Sequence, residues 1–260
     1  MKLDQYQVSA FTQQQFGGNP AAVVPLQEWL PRETMLAIAA ENNLSETAFF
    51  LPEGDDFLLR WFTPQVEVEL CGHATLATAH VLFNELGHSA QTIRFLTYSG
   101  ELLVSQDERG ICLDLPVHDI SETSADAAIV TALGCEPLVA YAAPSWVYRY
   151  ASEQQIRELS PDFRALLAAT DLPVIVTAPG DQVDFVSRFF GPQVGIDEDP
   201  VTGSAHCALV PLWADRLGKQ QFSARQLSAR GGDLDCELLG QRVLLRGYGL
   251  TFLRGQIEFD

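Results

Sequence analysis

The sequence predicts an α+β protein built from two related units, each a barrel-like, mostly antiparallel sheet around a central helix. Three observations lead to this prediction. A strand–helix segment recurs about half a chain apart, short alternating apolar stretches are bounded by turn residues, and two alanine-rich segments are apolar enough to be buried helices. The predicted units cover residues 1–118 and 119–260, and a last strand near 250–260 could pack back on the first unit.

The repeat aligns Asp56–Val66 with Asp184–Val194 at an offset of 128 residues, and seven of the eleven positions are identical. Chance similarity between two strand–helix units is the alternative explanation. A matched strand, turn, helix start and helix end favour duplication instead. The match continues with two conservative pairs, Val68 with Ile196 and Glu69 with Asp197. After a three-residue insertion, the helix start Gly72–Ala74 aligns with Gly203–Ala205 at an offset of 131.

Turn residues and apolar periodicity predict the individual elements. A helix is expected over Pro31–Asn42, because proline suits the first turn of a helix and asparagine its end. The helix from Gly72 to Leu86 carries an apolar stripe, and its counterpart runs from Gly203 to Leu217; a glycine follows each. Strands are expected over residues 3–9, 47–51, 57–62, 93–98 and 250–259, with a hairpin formed by residues 102–105 and 111–115.

Composition excludes several classes of function. The chain has 260 residues with 16 Lys+Arg against 34 Asp+Glu, a net charge of −18, which disfavours nucleic acid and anionic membranes as partners. Lys2 and Lys219 are the only lysines, and neither is placed like the core lysine of a pyridoxal-phosphate enzyme. Fingerprints for P-loops, dinucleotide-binding folds and the serine-hydrolase elbow are missing.

The cysteines indicate a reducing environment. The chain has five, widely scattered and without a Cys-x-x-Cys pair, which argues against a disulfide framework and a structural zinc site. No apolar stretch approaches the ~18–20 residues that span a bilayer. A cytoplasmic location is therefore expected.

The two strand-to-helix junctions, Cys71–Thr75 and Asp199–Ala205, are the natural places for a site. Helix N-termini carry unpaired N–H groups and partial positive charge, so they can hold a carboxylate without lysine. Plain helix capping by Thr202 and Ser204 explains the second junction equally well.

Four titratable residues could carry chemistry, and three of them also have a simpler explanation. Glu46, at the entry to an apolar strand, can exchange protons near neutrality if partly removed from water, although most glutamates are solvated. Cys71 precedes a helix, where a thiolate is stabilised, but a buried cysteine is equally consistent. His73 could donate a hydrogen bond to a substrate. Asp199 ends an acidic run that fits helix capping better than a metal site.

Five motifs resemble the PhzF-like isomerase family of phenazine biosynthesis, and they occur in the order expected for it. They span residues 10–12 (AFT) together with 16–24 (FGGNPAAVV), then 43–49 (NLSETAF), 60–64 (RWFTP), 70–75 (LCGHAT) and 195–205 (GIDEDPVTGSA). The resemblance implies a diaminopimelate epimerase-like fold with the active site between the two units. Epimerases of that fold use one cysteine per unit; here Cys71 stands at the first position and Asp199 at the second.

The resemblance also implies roles for individual residues. Glu46 would be the proton shuttle, with His73 and Asp199 as further catalytic groups, in a reaction like the isomerisation of trans-2,3-dihydro-3-hydroxyanthranilate. It implies a small carboxylate-bearing substrate, a homodimer, and neither cofactor nor metal. The expected substrate-binding residues are Asn19, Cys71, Gly72, Gly203 and Ser204.

Two alternatives from other classes remain open at the level of sequence. An epimerase or racemase of an amino-acid-like substrate would need a base for each face of the substrate, for example Cys71 and Asp199. A catalytically idle small-molecule-binding protein would keep the fold and be stabilised by ligand without turnover.

Overall fold

The computed structural model describes residues 1–260, which form two compact units. The first unit comprises Met1–Asp114 together with Arg246–Asp260, and the second comprises Leu115–Leu245. The C-terminal segment belongs to the first unit because its strand pairs antiparallel with the N-terminal strand, from Lys2 opposite Glu258 to Ala10 opposite Gly249.

The first unit is a sheet with two helices. Helix α1 ends where Asn43 adopts a left-handed conformation and donates its N–H to Ala39, a common way to stop a helix. The elements are β1 (Lys2–Ala10), β2 (Asn19–Pro25), α1 (Arg32–Asn42), β3 (Glu46–Glu53), β4 (Asp56–Phe62), β5 (Glu67–Val68), α2 (Gly72–His80), β6 (Thr92–Thr97), β7 (Gly100–Asp107), β8 (Gly110–Pro116) and β18 (Gly249–Glu258).

The sheet of the first unit encloses α2. Its strand order is β18–β1–β2–β3–β4–β6–β7–β8, with β5 also paired to β4; only the β2/β3 and β4/β6 pairs are parallel. Helix α2 packs against β1, β2, β3 and β18, and its residues from His73 to Ala79 are all buried. The predicted helix to Leu86 continues as a π-helical turn over Val81–Glu85, so its last part is not α-helical.

The second unit contains four helices, of which the sequence predicted only α6. The three others are short and are started by side chains that accept helix N–H groups, for example Asp126 from Ala128 and Ser152 from Gln155. The elements are β9 (Ser121–Thr123), α3 (Ala127–Leu133), β10 (Val139–Ala142), β11 (Trp146–Arg149), α4 (Glu153–Glu158), α5 (Phe163–Ala169), β12 (Val174–Pro179), β13 (Phe185–Gly191), β14 (Ile196–Asp199), α6 (Gly203–Leu217), β15 (Gln221–Gln226), β16 (Gly232–Leu239) and β17 (Arg242–Gly247).

The strand order of the second unit repeats that of the first. Its order is β9–β10–β11–β12–β13–β15–β16, with β14 also paired to β13. Its two parallel pairs correspond to those of the first unit: β11/β12 to β2/β3, and β13/β15 to β4/β6. Strand β18 of the first unit therefore corresponds to β9 of the second unit. Helix α6 is buried along most of its length and contains Pro211.

Strand pairing corrects the predicted alignment of the two copies. Phe62 lies opposite Glu67, and Phe190 lies opposite Glu198, so the two glutamates are equivalent. The offset of 131 therefore begins at Glu67, and the predicted pairs Val68/Ile196 and Glu69/Asp197 are wrong. The extra residues lie earlier, in the second copy's 3₁₀ turn at Pro192–Val194. By this alignment the counterpart of Cys71 is Thr202, and Asp199 corresponds to Val68.

None of the helices has both the length and the apolar character needed to cross a membrane.

Candidate active site

The parallel pairing of β2 and β3 brings the starts of these two strands to the same edge of the sheet. Asn19 is the first residue of β2, Glu46 is the first residue of β3, and Ala21 lies opposite Glu46. The entry to β3 is fixed by Asn42, whose Nδ2 donates to the hydroxyl of buried Thr47 at 3.0 Å. Two polar side chains from separate motifs are thus placed at one end of the first unit.

The loop before Asn19 has an unusual backbone. Phe11 and Phe16 adopt positive φ angles of 61° and 66°, which cost energy for residues with a side chain. Gly18, at φ +67°, allows the chain to pass the β1 strand, because a Cβ there would lie 2.3 Å from the carbonyl oxygen of Ala10. The position of Asn19 is therefore set by a loop that tolerates little change.

Glu46, His73, Asn19 and Cys71 form one cluster around the His73 imidazole. Glu46 Oε2 lies 3.2 Å from His73 Nε2, while Asn19 Nδ2 and Cys71 Sγ lie 3.1 Å and 3.5 Å from His73 Nδ1. The side chain of His73 is 5% exposed and that of Glu46 is 13% exposed. Asn19 is fully buried. The structure thus brings together four of the predicted site residues, which come from three separate sequence motifs.

The contact between Glu46 and His73 leaves both atoms able to bind a further group. Glu46 Oε2 and His73 Nε2 are buried and have no hydrogen-bond partner, because their 3.2 Å contact is not aligned as a hydrogen bond. Buried polar atoms are normally paired, since an unpaired one costs about 1–3 kcal/mol. A ligand that hydrogen-bonds to both atoms would remove this cost.

The environment of the cluster affects the two groups on α2 differently. Burial raises the pKa of the Cys71 thiol to about 11, and the negative charge of Glu46 adds to the rise. Burial opposes a positive charge on His73, but negative charge on Cys71 and Glu46 outweighs burial, so the pKa of His73 is raised well above its usual value. The Cys71 share of that rise requires a thiolate, and a thiol with a pKa of about 11 keeps its proton near neutral pH. With Cys71 as a thiol, burial is the largest influence on the pKa of His73, and burial favours the neutral imidazole.

Glu46, Cys71 and His73 are also close enough to be considered as metal ligands. One ligand atom from each lies within 4.8 Å of the other two. Cys71 approaches Nδ1 of the imidazole and Glu46 approaches Nε2, and the lone pairs of these two nitrogens point away from each other. A single ion could therefore be bound by only one of the two ring nitrogens.

The predicted residues of the second unit form their own cluster, before α6. Asp199 is 8% exposed, and its Oδ2 accepts a hydrogen bond from the Thr202 hydroxyl at 2.5 Å. Gln226, fully buried, donates from Nε2 to the Asp199 carbonyl at 2.7 Å and accepts at Oε1 from the Thr202 N–H at 2.8 Å. Gln226 was not predicted as a site residue, because a glutamine in an alternating strand carries no sequence signal for burial.

Gly72 and Gly203 are the first residues of α2 and α6, and Ser204 occupies in α6 the position that His73 occupies in α2. The alternative explanation of the second junction, plain capping by side chains, is not what the structure shows. Cys71 and Thr202 are the N-cap residues, and neither makes a side-chain cap hydrogen bond, since the Thr202 hydroxyl donates to Asp199 instead. Neither α2 nor α6 therefore has an N-cap side chain bonded to its first-turn N–H groups.

Comparison with known proteins gives these clusters a context. The profile of the phenazine biosynthesis-like protein family (PhzC-PhzF) matches residues 8–255, nearly the whole chain. The chain belongs to this family. The predicted resemblance is thereby confirmed. An uncharacterized isomerase of Pseudomonas aeruginosa is 48% identical over 261 residues, with all of both chains covered. Relatives within the PhzC-PhzF family are thus named as isomerases.

Solved structures confirm the predicted fold class. The crystal structure of a PhzF family protein from Enterococcus faecalis matches with a TM-score of 0.97 and 46% identity, covering all of both chains. A hydroxyproline epimerase from Agrobacterium vitis, solved with bound trans-4-hydroxy-L-proline, matches with a TM-score of 0.61 and 11% identity, covering 98% of this chain and 92% of that one. The PhzC-PhzF fold of this chain is therefore shared with epimerases.

Proposed function

We propose that this protein is a cofactor-independent isomerase in which Glu46 takes a proton from one carbon of a small carboxylate-bearing substrate and returns it to another. The contact between Glu46 Oε2 and His73 Nε2, two buried atoms without a hydrogen-bond partner, carries this proposal. A carboxyl group in this position can accept and donate a proton while the surrounding protein limits exchange with water.

The reaction needs no redox change. A carbon–hydrogen bond of the substrate breaks, its electron pair moves into a shifting double bond, and the proton goes to the Glu46 carboxylate. The proton then forms a new carbon–hydrogen bond at the far end of the shifted double bond, which leaves Glu46 as a carboxylate again. His73 orients the substrate through a hydrogen bond from Nε2–H.

The substrate's carboxylate is assigned to the first turn of α2. The N-cap Cys71 leaves the first-turn N–H groups without a side-chain cap, and the helix dipole favours negative charge there. This is how a chain with a net charge of −18 can bind a small anion. The participation of Asp199, Gly203 and Ser204 in the same reaction stays a prediction.

Turnover of trans-2,3-dihydro-3-hydroxyanthranilate in the wild-type protein and in Glu46→Gln tests the proposal. Glutamine keeps the shape of the side chain but cannot shuttle a proton, so we expect kcat to fall by about a thousandfold or more, in the range set by loss of an essential acid/base. Glu41→Gln, a change at an exposed residue of α1, is the matched control and should retain wild-type turnover.

Turnover in D2O separates the proposal from its alternatives. A shielded single carboxyl returns part of the substrate's own hydrogen, so the receiving carbon of the product should carry less than one deuterium. Exchange of a substrate α-hydrogen with inversion would instead establish an epimerase. Stabilisation by 3-hydroxyanthranilate, an aromatic analogue, without turnover of any small carboxylic acid tested would establish a binding protein and overturn the proposal.

A further inference from the structure

Asn19 and Cys71 compete for one nitrogen atom of His73. Asn19 Nδ2 lies 3.1 Å from Nδ1 and Cys71 Sγ lies 3.5 Å from the same atom. Nδ1 has a single lone pair in the plane of the ring, so it can accept one good hydrogen bond. Both distances suit a hydrogen bond, because sulfur is larger than nitrogen, but a thiol is a weak donor and the amide of Asn19 is the stronger one.

The amide nitrogen of asparagine only donates hydrogen bonds. A nitrogen that accepts from Asn19 carries no hydrogen, so His73 in this arrangement is neutral and has its proton on Nε2. Nε2 is the nitrogen that lies 3.2 Å from Glu46. The contact at Nδ1 thus determines that Nε2 presents an N–H next to Glu46.

His73 Nδ1, at 3.5 Å, is the basic atom that the Cys71 sulfur contacts directly, while the Glu46 carboxylate lies within 4.8 Å of that sulfur. To become a thiolate through the direct contact, Cys71 would have to pass its proton to His73 Nδ1, which would give an imidazolium between two negative groups, Cys71 and Glu46. These are the two charged groups that act on His73 in the first unit. A hydrogen bond from Asn19 to Nδ1 blocks this transfer, since the amide donor would then face an N–H.

We propose that Asn19 is a positioning residue that holds His73 as the neutral Nε2–H tautomer and so keeps Cys71 as a thiol outside the proton transfer. This assigns to Asn19 a different role from the substrate binding that the sequence resemblance implies. The link to turnover rests on the proposed function of Glu46, whereas the tautomer itself can be measured without any substrate.

The tautomer is read by long-range ¹H–¹⁵N spectra of protein labelled with ¹⁵N-histidine, with the His73 signals identified by their loss in His73→Gln. In the wild-type protein near neutral pH we expect Nδ1 to resonate as an unprotonated acceptor and Nε2 as a protonated nitrogen. A protonated Nδ1 would overturn the proposal, and this measurement requires no variant of Asn19 to fold.

Asn19→Asp tests the role of the amide directly. A carboxylate at this position accepts from Nδ1–H and favours the imidazolium, so both ring nitrogens of His73 should become protonated. With the substrate of the proposed function, kcat should fall about tenfold or more while KM changes less than about threefold. The acidic limb of the kcat profile should move to higher pH, because the reactive neutral His73 then requires loss of a proton.

Asn84→Asp is the matched control. Asn84 is exposed, and its Nδ2 lies 3.3 Å from Nδ1 of a different histidine, His80. This change should alter the signals of His80 while the His73 signals and turnover stay as in the wild type. Unchanged His73 signals in Asn19→Asp would overturn the proposal, as would an unchanged kcat profile. Full turnover by Glu46→Gln would overturn the proposed function but leave the tautomer assignment standing.

Discussion

Thr75 and His206 donate hydrogen bonds to the same backbone position of two related helices. Thr75 Oγ1 donates to the carbonyl of Cys71 at 2.7 Å, and His206 Nδ1 lies 2.9 Å from the carbonyl of Thr202. In each helix the acceptor belongs to the N-cap residue, four positions before the donor. A hydroxyl in one copy and an imidazole in the other thus make the same bond, in agreement with an offset of 131 between the copies.

The bond made by His206 predicts sensitivity to acid. Burial lowers the pKa of His206 to about 4. In the unfolded chain the pKa of a histidine is ~6.5, so between about pH 4 and pH 6.5 the unfolded chain binds a proton that the folded protein does not. The contribution of neutral His206 to stability is therefore complete above about pH 6.5 and is lost as the pH falls towards 4, by roughly 3 kcal/mol in total.

His206→Thr, which introduces the residue found at the equivalent position of α2, should remove this part of the pH dependence. Urea unfolding at pH 8 and pH 4.5 measures it as the difference between the two free energies of unfolding. Burial also lowers the pKa values of His80 and His118, so a smaller dependence should remain in the variant. An equal loss of stability in variant and wild type would show that His206 is not responsible.

Gly18→Ala should disrupt the loop that positions Asn19. A Cβ at Gly18 would lie 2.3 Å from the Ala10 carbonyl oxygen, in addition to the strain of a positive φ, so we expect a loss of about 3 kcal/mol or more in the free energy of unfolding. Gly54→Ala is the control, because Gly54 has nearly the same φ, +65°, and open space around it. That variant should lose only about 1–2 kcal/mol, the cost of the left-handed conformation alone. Equal losses in urea unfolding would contradict the role assigned to close packing.

Gln226→Ala should destabilise the segment from Asp199 to Thr202. It removes three buried hydrogen bonds, to the Asp199 carbonyl, from the Thr202 N–H and to the Thr202 hydroxyl, and leaves an uncompensated carbonyl and N–H, which costs about 2–4 kcal/mol by the usual values for buried polar groups. Hydrogen exchange of the Thr202 amide should accelerate with the loss of stability. Gln221→Ala, at an exposed residue on the same strand, is the control and should leave that amide protected. Protection of Thr202 in Gln226→Ala would contradict the assignment.

Arg60→Lys should destabilise the first unit although the charge is kept. Arg60 makes a bidentate contact with Glu67 and lies against three rings, those of Trp29, Phe62 and Tyr98. Lysine cannot reproduce the fork or the stacking, so we expect a loss of about 1–2 kcal/mol in urea unfolding at pH 7. The exposed Arg94, paired with Asp56, provides the control: Arg94→Lys should change stability much less.

The same pair predicts a dependence on pH. Hydrogen bonds from Arg60 lower the pKa of Glu67 below its usual 4.5. A carboxyl with a lowered pKa stabilises the fold above its ordinary pKa, and that stabilisation is lost as the pH falls below it. The difference in stability between wild type and Arg60→Lys should therefore shrink on acidification below about pH 4.5. A constant difference across this range would show that packing, and not the ion pair, is responsible.

The sequence was sufficient to predict the parts of the fold that follow local rules. Apolar periodicity and helix-ending glycines placed α6 correctly, and the repeat predicted two copies of one strand order. The short helices α3, α4 and α5 were missed because each is six or seven residues long, too short for a clear apolar period. The alignment of Val68 with Ile196 failed because an insertion in a turn is invisible when the residues on both sides are similar.

For the site, the motifs of the family predicted Glu46 and His73, which the structure places in contact. The hydrogen bond from Asn19 to His73 could not be predicted, because it depends on a loop with three positive φ angles between β1 and β2. Gln226 lies 24 residues after Thr202, and only the fold brings its amide to that backbone. Contacts of this kind depend on strand register, which a single sequence does not determine.

The pairing of β18 with β1 joins residues more than 240 positions apart, such as Ser9 and Leu250. On the ribosome, the second unit, Leu115–Leu245, has been synthesised in full before β18 exists. The first unit must wait with the edge of β1 exposed, although most of it is made first. We therefore expect the second unit to complete its folding earlier during translation, the reverse of the usual N-terminal-first order. A chain that stops before residue 249 would leave β1 paired with β2 alone.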